Sequence, residues 1–184
     1  MVRARCATLP DSPAADRWRH HPLTGLVLAG LIVALDQWSK AWAVEALPFR
    51  TPQLVTSWFD LTLTFNTGAA FSFLADAGGW QRGFLTGVSL LVSVFIAVWL
   101  FRLPPAERAM VWPLGLILGG GLGNLVDRWQ LGHVVDFISL HYLDWYWPAF
   151  NVADSAITLG AVWWLGGLLF WGTRDPTLGA QERS

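Results

Sequence analysis

The stretch GFLTGVSLLVSVFIAVWLF, residues 83–101, holds 19 residues without a single charge. A helix crosses the hydrocarbon core of a bilayer in about 20 mostly apolar residues, so this run reads as a membrane span. Two further uncharged stretches qualify, 109–126 and 155–173; Pro113 falls in the first turns of the former, where proline is tolerated. A fourth begins at Pro22, runs uncharged to Leu35, and then meets Asp36 and Lys40. Continued to about Ala46 it is long enough to span, with two charges inside. Ala41-Trp42-Ala43 has the small-x-small form of a cleavage site. The leader is long, however, and Trp and Lys are poor residues just before a cut, so the segment reads as an uncleaved span.

Composition agrees with a membrane protein. Of 184 residues, 54% are hydrophobic and 14% charged, against about 25% charged in soluble domains. A net charge of −1 leaves no overall field to gather nucleic acid. One cysteine excludes a disulfide framework and a cysteine-built zinc site. Thirteen tryptophans suit the edges of a bilayer, where one end of the ring is wet and the other dry.

Arginine placement sets the orientation. Arg3, Arg5, Arg17, Arg19, Arg102, Arg108, Arg174 and Arg183 fall on one side of four crossings; Arg50, Arg82 and Arg128 fall on the other. Both termini are therefore expected in the cytoplasm, as tails over 1–21 and 174–184 flanking a membrane domain over 22–173. Pro104-Pro105 lies in the short link between the second and third spans, which predicts a tight hairpin. Two longer segments, about 47–82 and 129–153, face outward. In the first, Phe59, Leu61, Leu63 and Phe65 alternate with Asp60, Thr62, Thr64 and Asn66, a strand pattern that Gly68 ends. Residues 133–140 alternate less cleanly but favour a second strand, giving a small sheet on the bilayer surface.

The informative residues are polar groups in or beside the spans, where a central charge costs about 2.5–3.5 kcal/mol. Asp36 and Lys40 stand four apart on the first helix, in the favourable order for an ion pair. Asn124, Asp127 and Arg128 fall on one face at the end of the third helix, and Asn151 and Asp154 begin the fourth. The crossing pattern gathers all of them, with Asp136, in one layer near the outer face. Asp127 has Arg128 or another base as a prospective partner. Asp136 and Asp154 lie in a stretch, 129–173, with neither Lys nor Arg. Two carboxyls in a partly dry site raise each other's pKa, so one holds a proton while the other stays ionised. That arrangement hydrolyses a peptide bond: the ionised acid deprotonates the attacking water and the protonated one polarises the carbonyl. The residues alone leave blander readings open. Asn151 would serve as a helix cap, Asp136 as an exposed loop residue, and Asp144 as an interfacial loop residue, while two histidines, His133 and His141, are too few and too irregular for a metal site. Gly115, Gly119 and Gly123 form a small-residue stripe for close helix packing, with room alongside for a substrate helix.

Five motifs occur in order: Asp36-Gln37-Trp38-Ser39-Lys40, Asn66-Thr67-Gly68-Ala69-Ala70-Phe71-Ser72, Gly123-Asn124-Leu125-Val126-Asp127-Arg128, Val134-Val135-Asp136-Phe137 and Phe150-Asn151-Val152-Ala153-Asp154. Together, over residues 21–173, they resemble the lipoprotein signal peptidase (signal peptidase II) family. The resemblance implies an aspartic endopeptidase of the bacterial cytoplasmic membrane, without metal or organic cofactor. Its substrate is a prolipoprotein whose lipobox cysteine already carries diacylglycerol, cut just before that cysteine. The family's catalytic pair matches Asp136 and Asp154; its other functional positions match Asp36, Lys40, Asn66, Gly68, Asn124, Asp127, Arg128 and Asn151, which are expected to bind substrate or support the site. The implied fold is all-α, with four transmembrane helices, a small outer β-cradle and a short outer helix. The implied partners are the substrate, membrane lipid and globomycin-type cyclic peptides, and no nucleic acid. Gly121 departs from the family, where many members have Ala, and the N-terminal tail is long. A small ion- or proton-coupled carrier would use similar residues, but its site tends to lie near the midplane, whereas these charges crowd to one side.

Overall fold

The computed structural model describes residues 21–68 and 80–171. Most of the two expected tails lie outside the described residues, and the expected short outer helix is not found among the described residues of the two outer segments. Four helices, α1 (His21–Ala46), α2 (Trp80–Arg102), α3 (Val111–Gln130) and α4 (Val152–Trp171), are each long and apolar enough to cross a membrane. α1 continues through Asp36 and Lys40 without a break, as its length requirement predicts. A 3-10 turn at Pro105–Met110 makes the tight link from α2 to α3.

α3 is the central helix. Its buried face carries Leu114, Leu118, Gly119, Gly120, Gly123, Asn124 and Asp127, while α1, α2 and α4 expose apolar side chains such as Leu31, Phe95 and Leu169 outward. Outside the core an apolar exterior of this kind is what a lipid environment permits. The glycine stripe brings the backbones together. A Cβ at Gly119 would stand 2.8 Å from the Ala29 carbonyl of α1, and one at Gly120 would strike the Ala153 carbonyl of α4. The space left by the small residues is thus filled by α1 and α4, and the expected room there for a substrate helix is absent. Ala29, Ile96, Leu100, Val111, Leu114 and Leu118 form the apolar core toward the opposite end.

At the end of the bundle where α1 and α3 finish, four antiparallel strands pair in the order β1 (Gln53–Thr56), β2 (Phe59–Asn66), β3 (Val134–Tyr142) and β4 (Trp145–Tyr146). β2 and β3 are the two expected strands. The simple alternation of β2 does not survive, because an irregularity between Leu61 and Thr64 shifts the register against β3. Asp60 lies opposite Ser139 and is buried, with its Oδ2 3.4 Å from His141 Nε2, while Phe65 is exposed and stacks on Phe49. Asp136 is no loop residue: it lies within β3, opposite Thr64, and is buried. Phe150 bridges to Ile138, so the residue before Asn151 is tied to the strand that carries Asp136.

Gly120→Val forces a side chain against backbone that has nowhere to move. It should cost about 1–3 kcal/mol of stability in reversible unfolding of the detergent-purified protein. Gly30→Ala, whose Cβ meets nothing within 4 Å, should stay within about 0.5 kcal/mol of wild type or exceed it. Equal behaviour of the two variants would refute the close-packing role of α3.

Candidate active site

Lys40 is 3% exposed and holds two carboxylates, Asp36 at 2.8 Å and Asp127 at 2.9 Å. The expected Asp36–Lys40 pair is therefore present. Asp127, for which Arg128 was the adjacent candidate, takes its ion pair from α1 instead. The expectation of one face shared by Asn124, Asp127 and Arg128 is corrected accordingly: Asn124 neighbours each of the other two, three and four residues away, but Asp127 and Arg128, adjacent in sequence, diverge. Each carboxylate also accepts a backbone N–H from a distant element. Asp36 Oδ1 accepts from Ala153 N at 2.9 Å, and Asp127 Oδ2 from Val135 N at 3.1 Å. Ala153 immediately precedes Asp154, and Val135 immediately precedes Asp136. The two structural aspartates thus fix the backbone on which the two candidate acids ride.

Two asparagines then reach those acids. Lys40 Nζ donates to Asn124 Oδ1 at 3.0 Å, and Asn124 Nδ2 donates to Asp154 Oδ1 at 2.7 Å. An ammonium can only donate, so Asn124 must turn its oxygen to Lys40 and its NH2 to Asp154. Asn151 caps α4 as expected: its Oδ1 accepts the Asp154 N–H at 2.9 Å. That bond turns its Nδ2 toward Asp136 Oδ1, at 2.7 Å, with Val135 O and Asn124 Oδ1 both at 3.2 Å. Asn151 is wholly buried, so it is both a cap and a link between the acids. Asn66, at the end of β2, also hydrogen-bonds the Asp136 carboxyl, while its Oδ1 accepts the Gly68 N–H at 2.9 Å. Gly68 has φ +109°, and a side chain there would run into Leu85 of α2. All ten sequence-selected residues therefore lie in or against one network.

The expectation that no cation compensates the two acids needs correction. The Arg128 guanidinium interacts electrostatically with Asp154, Asp136 and Asp127, and donates to Asn124 O at 3.2 Å. Lys40 also acts on Asp136. Even so, burial, reinforced by the Asp154 charge, pushes the Asp136 carboxyl up to about 7 against hydrogen bonds from Asn66 and Asn151 and the pull of Lys40. A cleft of about 650 Å³ opens beside Asp154, with Asn66, Arg128, Trp147 and Phe150 among its walls.

Gln37 was not singled out from the sequence. Its Nε2 donates to Asp127 Oδ1 at 2.7 Å, to Gly123 O at 3.2 Å and to Asp36 Oδ2 at 3.3 Å. The signal was an amide beside Asp36 in an apolar run, overshadowed by its charged neighbours.

Residues 28–170 match the family described as Signal peptidase (SPase) II. The chain is 52% identical over 134 residues to the lipoprotein signal peptidase of Cellvibrio japonicus, covering 73% of this chain and 79% of that protein. It is 47% identical over 157 residues to the lipoprotein signal peptidase of Acinetobacter baumannii, covering 84% and 89%. Two solved bacterial membrane enzymes share the fold. One has a TM-score of 0.73 at 24% identity over 83% of this chain and 91% of that one; the other has 0.71 at 26% over 80% and 94%.

Lys40→Met strands two buried carboxylates. It should cost about 3–5 kcal/mol in the same unfolding measurement. Adding Asp127→Asn should cost less than the sum of the two single changes, because the partner left unpaired by the first is then neutral. Strict additivity would show that the ion pair does not hold the site together.

Proposed function

The chain belongs to the signal peptidase II family, and from that premise we propose that it is a membrane-embedded aspartic endopeptidase. It removes the signal peptide from diacylglyceryl-modified prolipoproteins, cutting just before the lipidated cysteine. Family membership and four apolar helices make it a multi-pass membrane peptidase. The finer reading rests on one observation: Asp136 of β3 and Asp154 of α4 are each held by an asparagine donor, and the charge of one acts on the other.

In this mechanism Asp136 keeps the shared proton. Asn151 occupies its Oδ1, leaving Oδ2 to carry the hydrogen that polarises the scissile carbonyl. Asp154, on the wall of the cleft, takes a proton from water as the water attacks that carbon. Asp136 then protonates the departing amine. Asn66 both lines the cleft and donates to Asp136, so it braces the acid beside the entering peptide, whose carbonyl accepts the hydrogen that Asp136 carries. The end of the strand at Asn66 and Gly68 closes over the bound peptide. Arg128, also on the cleft wall, receives substrate main chain. Asp36, Lys40, Asn124, Asp127 and Asn151 orient the acids.

The membrane domain over 22–173 carries the site, with the tails over 1–21 and 174–184 in the cytoplasm of a bacterial inner membrane. The eight arginines on the tail side against three on the sheet side support that orientation. Water reaches the acids because they lie at the outer rim rather than mid-bilayer. The lipidated cysteine keeps its acyl chains in the bilayer while the peptide enters the cleft, and globomycin-type cyclic peptides compete for the same space.

Asp136→Asn and Asp154→Asn should each lower cleavage of a lipidated precursor by about 10²–10⁴-fold, with unfolding midpoints near wild type. Retained cleavage in both variants sinks the peptidase assignment. The pH profile gives a second check. A carboxyl raised to about 7 is protonated below that pH and ionised above it. As the general acid loses its proton, kcat/KM should fall tenfold per pH unit above about 7. A profile flat to pH 9 would remove Asp136 from that role.

A further inference from the structure

Arg128 lines a second hollow besides the cleft. It measures about 800 Å³ and lies between the sheet-side halves of α2 and α3, within the size range of ligand pockets. Gly83, Thr86, Gly87 and Leu90 line it from one face of α2, and Leu125 and Val126 from α3. The glycines of α3 are filled by neighbouring helices, but those of α2 are not: a Cβ at Gly83 or Gly87 meets nothing within 4 Å. These small residues keep a space open. Facing hydrocarbon, an apolar space of this size takes up an acyl chain.

The polar end of the hollow is cationic. Arg82 and Arg128 both line it, beside the exposed Trp129. Arg82 donates to Trp129 O at 3.4 Å, an exposed and long bond, and among the described residues no ion pair involves it. An apolar slot between helices that ends in two guanidinium groups at the membrane interface matches an amphiphile with a negative headgroup. The diacylglyceryl group of the proposed substrate is neutral and offers Arg82 nothing. We propose that this hollow binds one anionic phospholipid of the surrounding bilayer, its chains between α2 and α3 and its phosphate between Arg82 and Arg128. The inference does not depend on the cleavage reaction and is read without it.

The test uses the full chain in neutral detergent, titrated with phosphatidylglycerol, phosphatidylcholine or diacylglycerol of identical acyl chains, with bound lipid counted by native mass spectrometry. Phosphatidylglycerol should bind one per chain, about tenfold tighter than phosphatidylcholine, as two guanidinium groups allow. Arg82→Gln should cut the preference to about threefold, the share left to Arg128. Gly87→Leu, which places a side chain in open space and fills the slot, should weaken both while the unfolding midpoint holds. Equal binding of the two phospholipids by wild type overturns the proposal. So does a preference undiminished by Arg82→Gln, or diacylglycerol binding tighter than phosphatidylglycerol.

Discussion

One buried ammonium organises the functional end of this protein. Lys40 is withdrawn from water, and that desolvation is repaid only because its two carboxylates are themselves satisfied. The satisfaction comes from backbone N–H groups of other elements, Ala153 on α4 and Val135 on β3. Electrostatics therefore does what apolar packing does poorly between elements distant in sequence: it fixes register. Each anchored N–H lies one residue before a candidate acid. A rotation of α4 or a slip of β3 would break a charge-assisted bond in a dry site, so the positions of Asp154 and Asp136 are inherited from the ion pair.

Direction matters as much as distance. Lys40 has only donors, so its bond to Asn124 dictates which end of that amide meets Asp154. The Asp154 N–H dictates, in the same way, which end of Asn151 meets Asp136. Both acids thus face amide donors that stabilise negative charge without supplying a full cation. Counting the local charges, Asp36, Asp127, Asp136 and Asp154 stand against Lys40 and Arg128. Acid exceeds base, and the excess is eased when one carboxyl keeps a proton. Burial, together with the charge of Asp154, puts that proton on Asp136.

Much of this was legible in the sequence, for identifiable reasons. Three uncharged runs, and a fourth that continues through Asp36 and Lys40, reveal four spans because the bilayer demands length and apolarity and little else. The crossing pattern then gathers Asp36, Asn124, Asp127, Asn151 and Asp154 at one end without any knowledge of contacts. Pairing was harder to read. Asp127 sits beside Arg128 in sequence, yet its partner is Lys40, because adjacent helical residues diverge and only the packing of α1 on α3 brings the ammonium near. Asp60 looked like the wet side of β2, but an irregular register buries it against His141. Gln37 was missed because an uncharged amide carries no obligatory partner in a sequence, although the structure gives it three acceptors.

The glycines of α3 explain why so many polar groups are tolerated at one depth. With a Cβ at Gly123, atoms would stand 2.6 Å from Asp36 Oδ2; without it, α1 comes close enough for Lys40 to reach both Asp127 and Asn124. Close backbone approach is thus a precondition of the polar network. The same crowding leaves Arg128 at the edge, where it lines both the cleft beside Asp154 and the hollow between α2 and α3. A guanidinium in that position stands between the cleft that holds Asp154 and a largely apolar hollow. Its planar fork suits the role better than an ammonium would, since it satisfies a helix carbonyl and carboxylates in different directions at once.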